Sequence, residues 1–290
     1  MPDPTGKIDL HLHTNKSDGR LSPTELVRLA HKGGVRRMAL TDHDTTAGVD
    51  EAMAEGKSLG VEVIPGVELG TDSRSGDLHM LGLFLDYHDE AFQETMARFR
   101  EGRIKRVHTI VSNLAEVGVN ISVDRVFAIA GEASVGRPHV AQALLEAGYI
   151  KSMPEAFEKW LAYGGPGDVP RDKLSPEDAI GLIHAVGGLA VVAHPYEGKN
   201  VLEQLPALAQ AGLDGVETYY PNYGPDRKAE LLAICSKLDL LPTGGTDFHG
   251  FPHRMASDGA PIIDNPGSVE VPPSVLDALE SRRQAKSGAR

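Results

Sequence analysis

The chain has 290 residues, 41 acidic against 29 basic, and a formal charge of -12 at pH 7. That length accommodates one large α/β domain with a sizeable core, and the acidic balance removes any general attraction for polyanions, so a nucleic-acid substrate has to be gripped locally. A single cysteine, Cys235, leaves no disulfide framework, and with neither an apolar N-terminal signal region nor a run approaching 18 apolar residues, export and a membrane span are not expected and the cytoplasm is the expected compartment.

Residues 7–18 open the chain's pattern. Strict alternation predicts a strand that turns Ile8, Leu10 and Leu12 one way and Asp9, His11 and His13 the other. Two imidazoles at i and i+2 bring their ring nitrogens within reach of one ion. Ser22-Pro23-Thr24-Glu25 combines an N-cap serine, a proline at the first helical position and a glutamate that completes a capping box. The helix this predicts runs to about Lys32. Residues 38–40 form a short apolar strand entering Thr41-Asp42-His43-Asp44, and residues 47–59 have helical composition. Residues 61–68 supply the next strand, ending at Glu68, and residues 77–82 alternate again with Asp77 and His79 on one face.

From 92 to 173 the text becomes mostly helical, with helices expected over 92–117, 123–130, 138–147 and 154–161, and Gly118, Gly131, Gly148 and the 164–167 cluster as punctuation. This reads as an insertion, a helical cap. The strand-then-helix grammar resumes with a helix over 175–185, the strand 189–193 followed by His194-Pro195, a helix over 201–211, a strand over 215–219, a helix over 225–238, and a strand at 241–244 that opens into Thr246-Asp247-Phe248-His249. One short helix is expected in the tail after Pro272. Such alternation implies a parallel sheet with helices on its outside. A barrel fits better than an open sheet, because polar residues arriving from strands spread along the whole chain then converge on one face. The expected domains are a barrel over 1–91 and 174–290 and the cap over 92–173.

The strand-end residues are His11, His13, Asp18, His43, Glu68, His79, His194, Asp247 and His249. Each alone reads more readily as a hydrogen-bonded structural residue, but together they make an imidazole and carboxylate set without thiolate, which suits manganese, iron, zinc or magnesium-like ions rather than a structural tetrathiolate site. His31, His88, His108 and His184 lie in helical or loop text without a partner motif and read as surface or packing residues. Cys235, in an apolar-periodic run, reads as a buried helix residue rather than a catalytic thiol.

Taken in order, Asp9-Leu10-His11-Leu12-His13-Thr14 with Ser17-Asp18-Gly19, Thr41-Asp42-His43, Pro65-Gly66-Val67-Glu68, His194-Pro195 and Thr246-Asp247-Phe248-His249 resemble the successive motifs of the polymerase and histidinol phosphatase (PHP) family. The resemblance implies a distorted (β/α)7 barrel with two or three divalent ions. It assigns His11, His13, Glu68 and Asp247 to a first ion, Glu68 as a bridge to a second held by His79 and His194, and Asp18, His43 and His249 to a third. A ligand-competent side chain stands at every one of these places.

Within the insertion, Gly136-Arg137-Pro138-His139 resembles the motif of the bacterial subgroup that includes 3′,5′-nucleotide bisphosphate phosphatases and 5′→3′ exoribonucleases. A guanidinium fork matches phosphate oxygens, and Pro138 can open a helix whose first amides favour anions; the alternative is an arginine paired with a surface acid. His139 either touches phosphate or caps the local fold, and Arg171 is a candidate for a second charged group of the substrate or a solvated loop residue. The expected reaction is attack of metal-activated hydroxide on a phosphate ester. The expected substrate is a small phosphorylated nucleotide or a short RNA end, with no obligate protein partner. Arg137 would share the charge of the transferring group, and Glu68, His194 and Asp247 complete the expected catalytic set. Histidinol-phosphate hydrolysis, a polymerase-associated module without independent activity and amide hydrolysis by a barrel metalloenzyme are the rival readings.

Overall fold

The computed structural model describes residues 6–73, 76–162, 164–170, 174–198, 200–251, 254–255 and 261–288. The first half runs β1 (Lys7–Asp9), α1 (Pro23–Lys32), β2 (Val35–Leu40), α2 (Val49–Leu59), β3 (Glu62–Ser73) and β4 (Gly76–Leu83). The helical segment follows as α3 (Glu90–Glu116), α4 (Val123–Ala130), α5 (Arg137–Glu146) and α6 (Met153–Lys159). The chain then returns through α7 (Pro176–Ala185), β5 (Leu189–Val192), α8 (Val201–Gln210), β6 (Gly215–Tyr219), α9 (Pro225–Leu238) and β7 (Leu241–Gly244) to a small ribbon, β8 (Arg254–Met255) and β9 (Pro261–Ile262), and to α10 (Ser274–Gly288). The ribbon was not expected, and α10 is longer than the short helix the tail suggested.

Strands β1 to β7 form one sheet in sequence order. The expectation of an all-parallel sheet needs correction, because β4 is antiparallel to both β3 and β5. The cause is local: β3 turns directly into β4 with no crossover helix, and a direct turn reverses the chain. All other pairs of this sheet are parallel. Past their strands, the first and last segments also meet. Leu10 N donates to Gly244 O (3.1 Å), Asp247 N to His11 O (2.9 Å) and His13 N to Phe248 O (3.0 Å).

Helix α1 shows how the sequence enforces the packing. Ser22 Oγ accepts from Glu25 N at 3.3 Å while Glu25 Oε2 accepts from Ser22 N at 2.9 Å, closing the expected capping box, and Leu26, Val27 and Ala30 recur on one face and are buried. They join Leu12, Met38 and Leu40 in one cluster, whereas Ile8 and Leu10 pack in another with Leu81, Val191 and Leu276. At the far end of the sheet, buried Asp214 accepts from His184 Nε2 at 2.8 Å and pairs with Lys286 of α10. His184, expected as a surface or packing residue without a partner motif, is partly buried and has this partner in Asp214. Cys235 is buried in α9 as expected. Among the described residues no helix is long and apolar enough to cross a membrane.

The helical segment has a cluster of its own. Val107, Ile110, Leu114, Val126, Val140, Leu144 and Leu161 pack together with Trp160 against them, while Phe92 and Met96, in the first turns of α3, pack with the sheet. Leu144 is fully buried, so Leu144→Ala is expected to cost about 2–5 kcal/mol. Trp160 is the only tryptophan, so its fluorescence during urea denaturation reads this cluster directly. An unchanged midpoint would show that the cluster does not hold the segment.

Candidate metal centre

The nine residues singled out at strand ends come to one place. His11 and His13 follow β1, Asp18 lies in the loop before α1, and His43 follows β2. Glu68 stands on β3 and His79 on β4, His194 follows β5, and Asp247 and His249 follow β7. Two backbone devices allow this approach. A side chain at Gly245 would put its Cβ 2.5 Å from the His11 backbone nitrogen, so only glycine lets the end of β7 lie against β1. His194 (φ 26°) and Asp247 (φ 51°) adopt left-handed backbone, an arrangement that costs on the order of 1–3 kcal/mol per residue and concentrates at functional sites.

Glu68, almost wholly buried, is the hub. Its Oε1 lies 2.7 Å from His79 Nδ1 and 3.2 Å from His194 Nε2. Its Oε2 lies 3.1 Å from His13 Nε2, 3.2 Å from His11 Nε2 and 3.3 Å from His43 Nδ1. Asp247 Oδ1 is 3.2 Å from the Nε2 atoms of both His11 and His13. Asp18 Oδ1 is 3.2 Å from His249 Nε2, and Asp18 Oδ2 is 3.6 Å from His43 Nε2.

Three overlapping groups result, each with its donor atoms within 4.8 Å of one another: His11, His13, Glu68 and Asp247; His13, Asp18, His43 and His249; and His43, Glu68 and His79. The third contains His43 in addition to the expected Glu68 and His79, while His194 reaches the cluster through Glu68 Oε1. The donor set fits divalent ions. Atoms that each lie about 2.1 Å from a common ion stand about 3.0–3.4 Å apart, which is the spacing of the four histidine–carboxylate pairs in the first group. Moreover, His13 Nδ1 is buried without a hydrogen-bond partner, and His13 Nε2 and His43 Nδ1 stand 3.1–3.3 Å from carboxylate oxygens without hydrogen-bond geometry, whereas buried polar atoms are satisfied as a rule.

The electrostatics agree. Burial works against ionised Glu68, but His43, His79 and His11 outweigh it and hold its pKa well below the ordinary range. Burial likewise works against Asp18 and Asp247, and neighbouring histidines depress both. Conversely, burial opposes a protonated His249, and Asp18 and Asp247 overcome it to raise the pKa to about 10; His194 rises to about 9 against the same penalty through Glu68. At His43 burial wins and the pKa falls to about 3. Three buried, ionised carboxylates are a demand for positive charge at one spot.

The sequence reading missed the residues that buttress this cluster. Asp42 accepts from Thr14 N (2.7 Å), Thr14 Oγ1 (2.6 Å) and Ser17 Oγ (2.6 Å), fixing the loop that carries Asp18. Asp9 accepts from Thr246 N (3.0 Å), Thr246 Oγ1 (2.7 Å) and Gly267 N (2.8 Å), joining β1 to the segment after β7. Glu217 and Tyr220, of β6 and the residue after it, stand behind His11 and Asp247. Only a fully buried acid in otherwise apolar strand text could have signalled Glu217.

A cavity of about 800 Å³ opens beside the cluster, with Asp18 and His249 in its wall. Ile129, Met153 and Phe157 of the helical segment line it together with Phe251, and Arg20 stacks over the Phe251 ring at 5.1 Å. His139 also lines it, while its Nδ1 accepts from Gly136 N at 3.0 Å at the start of α5. The ring therefore caps the local fold and faces the cavity at once. Arg137 is the first residue of α5, partly buried, and belongs to none of the three donor groups. Arg171 lies outside the described residues.

A family model, described as the PHP domain, matches residues 9–163. The chain belongs to the PHP family. Two relatives extend the likeness over most of the chain. A 5'-3' exoribonuclease of Haemophilus influenzae is 36% identical over 84% of this chain and 90% of its own length, and a 3',5'-nucleoside bisphosphate phosphatase of Chromobacterium violaceum is 34% identical over 83% and 87%. The crystal structure of a Bifidobacterium adolescentis protein, provisionally described as a metal-dependent phosphoesterase, superposes with a TM-score of 0.85 at 30% identity, covering 97% of this chain and 98% of that one. The chain is a metal-dependent phosphoesterase, a hydrolase of phosphate esters.

Proposed function

We propose that the protein hydrolyses phosphate esters of nucleotides, with the 3′-phosphate of nucleoside 3′,5′-bisphosphates and the 5′-phosphorylated ends of short RNA as its substrates. The observation that carries this reading is the cavity of about 800 Å³ sharing a wall with the donor cluster. A phosphate group alone fills a small part of it, whereas its apolar and aromatic lining with a few polar groups suits a base and sugar. The names of the two relatives support the same substrate class. Histidinol phosphate is disfavoured by the Gly136-Arg137-Pro138-His139 motif, and a non-catalytic module by the complete donor set.

His11, His13, Glu68 and Asp247 would hold one ion, Glu68 with His79 and His194 or His43 a second, and Asp18, His43 and His249 a third; manganese, iron(II) and zinc all suit these donors. When bound, such ions polarise phosphoryl oxygens and lower the pKa of water to about 7, so that water can serve as the nucleophile. The protein's own part is to fix the donors, bind the phosphates and exclude bulk water. Arg137 is assigned to a phosphate group as a bidentate donor, with Arg171 as a second candidate. We read the sheet as a distorted (β/α)7 barrel over 1–91 and 174–290 with residues 92–173 as a cap over its mouth. The hydrogen bonds between the ends of β1 and β7 and the separate core of the helical segment support this division.

The test is a manganese-supplemented comparison of adenosine 3′,5′-bisphosphate, a short 5′-phosphorylated RNA and p-nitrophenyl phosphate. Either nucleotide should exceed the simple ester in kcat/KM, and equal or lower values for both would overturn the substrate assignment. In the same assay Arg137→Ala is expected to lose about 1.5–3 kcal/mol of transition-state stabilisation, roughly ten- to a hundredfold in kcat/KM. A loss on the nucleotides alone puts the guanidinium on the second phosphate; an equal loss on all three puts it on the transferring group; no loss removes it from the site.

A further inference from the structure

Strand β6 supplies none of the nine donors, yet its end holds three of them from behind. Glu217 is fully buried. Its Oε1 lies 3.1 Å from His11 Nδ1, and its Oε2 accepts from the backbone nitrogen of His194 at 2.8 Å. Tyr220 is 2% exposed, and its hydroxyl donates to Asp247 Oδ2 at 2.9 Å with Glu197 Oε1 3.1 Å away. The two side chains thus reach the ends of β1, β5 and β7.

We propose that Glu217 and Tyr220 are positioning residues for the ion assigned to His11, His13, Glu68 and Asp247, an inference that rests on the metal reading above. A neutral imidazole carries one N–H. With Glu217 at Nδ1 the proton stays there, and the Nε2 lone pair is left facing Glu68 and Asp247. A carboxylate behind a ligating histidine also raises the ring's basicity toward a metal. Tyr220 does the equivalent for Asp247. By occupying Oδ2 it leaves Oδ1, the oxygen 3.2 Å from His11 and His13, to face the ion. The second oxygen of Glu217 holds the His194 backbone in its left-handed turn, so one buried acid sets two donors from different strands. An acid whose only use was to fill the strand end would be replaced by an apolar residue at no loss.

The experiment measures Mn2+ binding by equilibrium dialysis after chelator treatment, in wild type, Tyr220→Phe and Glu217→Gln. Thr218→Val serves as a control at the neighbouring position of β6. Tyr220→Phe should bind one ion about 10- to 100-fold more weakly with the remaining ions unchanged, and Glu217→Gln should weaken that ion by a similar factor together with the ion assigned to His194, both with far-UV circular dichroism of the wild type. Thr218→Val should bind as wild type does. Wild-type affinity in both Tyr220→Phe and Glu217→Gln overturns the inference and leaves the metal reading standing, whereas a wild type that binds no Mn2+ overturns both. Should Glu217→Gln not fold, Tyr220→Phe decides alone: a loss of affinity for one ion of about 10- to 100-fold supports the inference, and wild-type affinity overturns it.

Discussion

Glu68→Gln is expected to reduce turnover by about two to three orders of magnitude, the scale at which loss of one preorganised electrostatic group is felt in an active site. The side chains are nearly identical in shape, so the fold should persist. What disappears is the charge. One carboxylate stands within 3.3 Å of ring nitrogens on His11, His13, His43, His79 and His194, and His43, His79 and His11 keep its pKa low despite burial. An amide offers one acceptor oxygen and turns an N–H donor toward rings whose lone pairs a cation would need. The measurement is kcat on the best substrate together with metal content by elemental analysis. Near-normal turnover with a full complement of metal would mean that Glu68 does not bridge the proposed ions.

Removal of the ions is expected to abolish activity and to lower thermal stability. Each ion present at a hundred times its dissociation constant stabilises the folded state by about 2.7 kcal/mol. Two ions amount to roughly 5 kcal/mol and a fall in Tm on the order of 10 °C for a chain of this size. Activity and Tm should return together when manganese, iron(II) or zinc is restored. The protein with its ions stripped must accommodate buried Glu68, Asp18 and Asp247 with protons on histidine alone, which is why stability and activity are coupled. Full activity after exhaustive chelation, with no metal detected, would sink the metal mechanism.

Much of this was legible in the chain. The alternation at Ile8 to His13, the capping box at Ser22 and Glu25, and the order of strands and helices depend on neighbours within a few residues, and local pattern records such relations directly. The donors were legible for a related reason. His11, His43, His194 and Asp247 each follow an apolar strand, and strand ends in an α/β fold gather on one side. The direction of β4 was not legible, because a period of two marks a strand but carries no polarity; the direct turn from β3 decided it. Nor was the grouping of the histidines, in which His43 shares a group with Glu68 and His79. Glu217 and Tyr220 were missed for the clearest physical reason. Glu217 acts on His11 across 206 positions of sequence, and Tyr220 on Asp247 across 27. The sequence by itself determined which side chains could hold ions and which strands deliver them. Only the tertiary structure decided which donors share a site and what stands behind them, because those relations are distances in space between residues that no local period connects.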